Sequence, residues 1–116
     1  DRSMVLRLTY QGKRVLLPGD IAVRGMAGLL QQGDLKAEVL ALPHHGSVVA
    51  TTKSFIDAVG PTVCVRSSGQ RRKMTRNGIE RCVGERRYFN TADDGCVVVK
   101  IAGGKIKTET GTRQLD

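Results

Sequence analysis

An α/β fold of α+β character, with helices packed on a mixed sheet, is what this sequence predicts. Three observations predict it. The hydrophobic period switches repeatedly between two and about 3.6, so strands and helices interleave. Gly and Pro stand at the switches, where they break regular structure. The 116 residues are 40% apolar and 26% charged, the balance of one globular domain or part of one.

The elements follow in order. Residues 4–10 alternate, with Met4, Leu6, Leu8 and Tyr10 on one face. After Gln11-Gly12 comes a second apolar run, Lys13 to Leu17, so the pair reads as a hairpin. Pro18-Gly19 breaks the second strand and leaves Asp20 just past its end. From Ile21 to Gln32 the period becomes helical, with Val23, Met26, Ala27 and Leu30 inward and Gly33 as the stop. Val39 to Leu42 is a short continuous apolar run, the pattern of a strand buried on both faces. Pro43 ends it, and His44-His45-Gly46-Ser47 follow as a loop.

Thr51 or Thr52 starts a helix with Phe55, Ile56 and Val59 inward, and Gly60-Pro61 stops it. Thr62 to Val65 is a strand, Thr75 to Val83 a weak helix, and Tyr88-Phe89 a short strand. Asp94-Gly95 leads into Cys96 to Ile101, and Gly103-Gly104 turns that strand into Lys105 to Thr110. The last strand alternates strictly and carries Lys105, Lys107 and Glu109 on one face, the pattern of an edge strand with a wet side. The order is therefore β-β-α-β-α-β-α-β-β-β.

Composition narrows function. No apolar run approaches the roughly 18 residues that span a bilayer, and the chain opens on a strand pattern without a signal peptide. It begins Asp1-Arg2-Ser3 rather than with Met, as a fragment or processed piece would. The three cysteines, Cys64, Cys82 and Cys96, have no C-x-x-C spacing, so they read as reduced thiols rather than a zinc finger or disulfide framework. A net charge of +8 suits a polyanionic partner and equally a soluble surface.

Three features could carry chemistry. The only histidines, His44 and His45, are adjacent on a Gly-bounded loop after a buried strand. Imidazole is both a metal ligand and the usual acid–base group near neutral pH. Asp20 occupies the equivalent slot one crossover earlier, where ligands and catalytic groups gather in open α/β sheets. It is equally placed to cap the helix from Ile21. Third, Arg66, Arg71, Arg72, Lys73, Arg76, Arg81, Arg86 and Arg87 concentrate positive charge, opposed only by Glu80 and Glu85. Arg71, Arg72, Lys73 and Arg76 are the candidate nucleic-acid-binding residues, since phosphate contacts give affinity without base readout. A solvated charged loop is the other reading, and the scarcity of aromatics disfavours base stacking.

Leu17-Pro18-Gly19-Asp20 followed by Leu42-Pro43-His44-His45-Gly46-Ser47 resembles the metallo-β-lactamase-like domain of ComEC-type DNA-uptake (competence) proteins. Ser3 to Leu8 is similar to that family's S-x-V-L-x-L strand, and Thr91 to Gly95 to its T-x-x-D-G turn. The resemblance runs from residue 3 to about residue 107. It implies an αββα sandwich holding one or two divalent metals, zinc or manganese. The family's H-x-H-x-D-H motif is absent, so residues 1–116 correspond to a single partial domain, the C-terminal half of that fold. By the same resemblance Asp20 is a metal-bridging carboxylate, His45 a metal ligand and His44 the catalytic neighbour that holds the phosphate or moves a proton. The implied chemistry is metal-activated water attacking a phosphodiester. Where the family reads N-x-Y-G-H-P, this chain has the basic stretch Gly69 to Thr75.

The resemblance further implies DNA or another phosphodiester as substrate, the N-terminal half of the same domain as partner, and a membrane-embedded parent with this domain outside the cytoplasm. Two alternatives stand beside it: a cytosolic hydrolase of a small phosphoester on the same scaffold, and a non-catalytic nucleic-acid-binding module.

Overall fold

The computed structural model describes residues 4–68 and 78–111. Strands β1 (Leu6–Tyr10) and β2 (Lys13–Leu17) form the expected hairpin, paired antiparallel from Leu6↔Leu17 to Tyr10↔Lys13. Helix α1 (Val23–Gln32) leads to β3 (Val39–Ala41), helix α2 (Thr52–Val59) to β4 (Val63–Arg66), and helix α3 (Ile79–Val83) to β5 (Arg87–Asn90). A single turn, α4 (Thr91–Asp94), precedes the hairpin β6 (Cys96–Ala102) and β7 (Lys105–Gly111). The mixed α/β class is therefore as predicted. The sheet differs in one respect: β1 to β5 form one five-stranded sheet, and β6–β7 form a separate two-stranded one.

Strands β2, β3, β4 and β5 run parallel, each beside its neighbour in sequence. Their carboxyl ends thus share one edge, and whatever follows each strand is delivered to that edge. Leu16, Leu40, Cys64 and Tyr88 are paired in one row across the sheet. That row meets Met26 of α1, Phe55, Ile56 and Val59 of α2, and Ile79 and Val83 of α3 in a single core. Burying one such side chain contributes roughly 1.5–3 kcal/mol, so this layer dominates stability.

Val23 departs from its expected inward place and is exposed. Helix α1 begins only at that residue, so Val23 sits in the first turn, where the chain is still arriving from the Asp20 loop. The inward side instead runs through Met26, Leu29 and Leu30. The opposite sheet face is only partly covered. Arg87 of β5 hydrogen-bonds Thr108 of β7, and Gln11 accepts from the Gly104 amide, which hold the small hairpin near the start of the parallel strands. Leu6, Leu8 and Tyr10 of β1, together with Leu17 of β2, remain exposed.

Candidate metal centre at the strand ends

Asp20 and His45 meet at the carboxyl edge of the sheet. Asp20 follows β2 through Pro18-Gly19, and His45 follows β3 through Leu42-Pro43. Their Oδ1 and Nε2 atoms are 3.8 Å apart. The competing cap reading of Asp20 fails: Ala22 holds the N-cap position of α1, with no side-chain cap bond.

The histidine turn is strained. His44 and His45 have φ of 53° and 55°, a left-handed conformation that costs a β-carbon-bearing residue about 1–2 kcal/mol. Three bonds to two other segments hold it. The Leu42 amide donates to the Val65 carbonyl at 2.8 Å, the His44 amide to the Gly19 carbonyl at 2.9 Å, and the Arg66 Nε to the His45 carbonyl at 2.9 Å. The Asp20–His45 contact does not by itself offset the strain. The side chains of His45 and Asp20 are 70% and 68% exposed, and an exposed pair of this kind contributes at most about 1 kcal/mol. Backbone strain of this kind clusters at functional sites.

The rings are oriented differently. His45 Nδ1 is 2.9 Å from the Ser67 carbonyl. A carbonyl only accepts, so Nδ1 carries a proton, and Nε2 is the nitrogen that faces Asp20. A ring fixed this way by a carbonyl on its other nitrogen is the usual arrangement of a metal-binding histidine. His44 instead places Nδ1 3.4 Å from Ser47 Oγ. Two donors on one ion, with bonds of about 2.0–2.2 Å, cannot stand more than about 4.2 Å apart, so the Asp20–His45 spacing fits one metal. Nitrogen and carboxylate oxygen also suit zinc or manganese. Among the described residues no group of three or more His, Cys, Asp or Glu side chains that could hold a metal ion comes together.

The basic loop candidates Arg71, Arg72, Lys73 and Arg76 lie outside the described residues. Described residues of the same charge concentration do not form one free surface. Arg66 is buried, Arg86 bonds Asp57 and the Val83 carbonyl, and Arg87 bonds Thr108 and covers the Phe89 ring. The chain enters the basic loop from Ser68, whose amide and carbonyl both bond the Thr91 hydroxyl just beyond β5. Entry to that loop is therefore at the same edge as Asp20 and His45.

In the sequence Arg66 is one of several residues that concentrate positive charge. Its place was legible all the same: it stands two residues after Cys64, on the buried face of an apolar strand.

Among curated proteins, competence protein ComA of Neisseria gonorrhoeae is 39% identical over 70 residues, covering 59% of this chain. The match takes in 10% of that protein's length. No family model and no solved structure matches the chain. Among the described residues no helix is long and apolar enough to cross a membrane.

Proposed function

We propose that this chain is the second half of a metal-dependent phosphodiesterase domain belonging to a competence-type DNA-uptake protein. The observation that carries the reading is the Asp20–His45 pair, set 3.8 Å apart on adjacent strand ends by a strained turn. The similarity to a competence protein supports the biological setting. A bound zinc or manganese ion would lower the pKa of a water and polarise the phosphoryl oxygens. In this chain Asp20 and His45 would hold the ion, while His44, whose ring contacts Ser47, would hold the phosphate or pass a proton to the leaving oxygen.

The remaining ligands come, in this reading, from the N-terminal half of the same domain. The exposed face of Leu6, Leu8, Tyr10 and Leu17 supports it, because a single sheet in water does not leave such a row bare without a covering layer. A membrane-embedded parent with the domain outside the cytoplasm completes the proposal.

The test uses the parent domain with both halves present. Asp20→Ala and His45→Ala each abolish metal retention and metal-dependent cleavage of DNA. His44→Ala keeps the metal and loses about 10²–10⁴-fold in turnover. Hydrolysis of a small phosphodiester but not of DNA would favour the small-phosphoester alternative. DNA binding without metal or hydrolysis would leave a binding module.

A further inference from the structure

Arg66 ends β4 with only 7% of its surface exposed. A guanidinium so placed is tolerated only where its donors are satisfied, and removing their partners is costly. Its partners are informative. Nε donates to the His45 carbonyl, and the guanidinium also interacts with the Tyr88 side chain on β5, favouring its ionised form. The stem crosses directly over Gly46. Arg66 thus joins the rigid centre of the sheet to the strained histidine turn.

We propose that Arg66 is a positioning residue for His45, holding the left-handed turn closed so that Nε2 faces Asp20. The inference rests on the reading of Asp20 and His45 as the metal pair. Consecutive residues at the end of β4 grip a single residue twice: Arg66 takes the His45 carbonyl and Ser67 takes the ring nitrogen. Without the first grip, the turn loses its bond to the His45 backbone carbonyl, and the φ of 55° relaxes toward the ordinary negative region. The ring then swings away from the Ser67 carbonyl, and both nitrogens compete for the proton.

Arg66→Met keeps the stem and removes the donors, while Arg66→Lys keeps the charge and puts a methylene where Nε donates. Imidazole proton–nitrogen correlation spectra of this chain report the His45 tautomer without any metal. Wild type shows the Nδ1-protonated form. Both variants shift to a mixture while the amide signals of Leu40, Phe55 and Val63 stay in place. In the two-half parent domain, manganese or cobalt affinity falls about 10–100-fold.

An unchanged His45 tautomer in folded Arg66→Met overturns the proposal, because a space-filling role predicts that result. Should both Arg66 variants unfold, Tyr88→Phe removes one Arg66 partner at the core, and an unmoved His45 signal there overturns it equally. A tautomer that depends on Arg66 in a parent domain that binds no metal keeps the positioning role and removes the metal reading.

Discussion

Gly46 and Arg66 occupy each other's space: a β-carbon on Gly46 would stand 2.6 Å from Arg66 Nε and 2.8 Å from its Cδ. Gly46 also has a φ of 81°, which side-chain-bearing residues rarely adopt. Gly46→Ala therefore meets steric and conformational penalties together. We expect it to lower stability by at least about 2 kcal/mol in urea denaturation. In an Arg66→Ala background the added cost of Gly46→Ala falls, leaving mainly the backbone term.

The strain at His44 predicts an opposite result. Glycine tolerates a φ of 53° without penalty, so His44→Gly raises stability by about 1 kcal/mol. The same substitution removes the group proposed to act on the phosphate. A more stable and less active parent domain is the expected outcome, measured by thermal melting beside turnover.

Cys64 sets an alkaline limit. Burial pushes its thiol up to about 11 from 9.0. Between those values the unfolded chain ionises its thiol and the folded chain does not. The contribution is thus complete below pH 9.0 and is lost as pH rises through about 11, a loss on the order of 2 kcal/mol. Cys64→Ala should flatten stability over this range. At neutral pH, thiol reagents should label exposed Cys96 quickly and Cys64 only on unfolding.

Leu8 is 53% exposed in the middle of the apolar row on β1. Leu8→Lys should make this chain more soluble by itself while leaving its melting temperature within a few degrees. If the N-terminal half covers that row, the same substitution weakens association of separately produced halves at least tenfold. Equal association by wild type and variant would place the contact elsewhere.

The basic loop is tested by salt. Each phosphate contact steepens the slope of log K against log salt by about 0.9 on duplex DNA and about 0.7 on single strands. Replacing Arg71, Arg72 and Lys73 together by Ala should flatten the slope by about 2 to 3 and weaken unrelated sequences alike. An unchanged slope makes the loop solvated surface.

The elements were legible because each hydrophobic run has one dominant period and ends in Gly or Pro. Phe55, Ile56 and Val59 recur at helical spacing and are fully buried; Lys105, Lys107 and Glu109 alternate and are exposed. Pairing was harder to read. Nothing local to Cys96 to Ala102 says that this strand joins Lys105 to Gly111 in a sheet of its own, because partner choice depends on which face is already occupied. At the site, the adjacent histidines and the Gly-Asp pair were visible as residue types at strand ends. The left-handed turn was not, since neither histidine prefers that conformation and the bonds that impose it come from Gly19, Val65 and Arg66.

The five-stranded sheet is laid down in the order in which its strands occur in the chain, β1 beside β2 and so on to β5. Each new strand docks on the one just made, so the sheet can grow as the polypeptide leaves the ribosome. The histidine turn does not mature on that schedule. His44 and His45 have emerged once β3 is finished, yet the Val65, Arg66 and Ser67 contacts that shape them arrive only with β4 and the residue after it. During that interval of synthesis the two imidazoles sit on an unshaped segment. A nascent chain halted between Gly60 and Pro61 would carry both histidines and no preformed site.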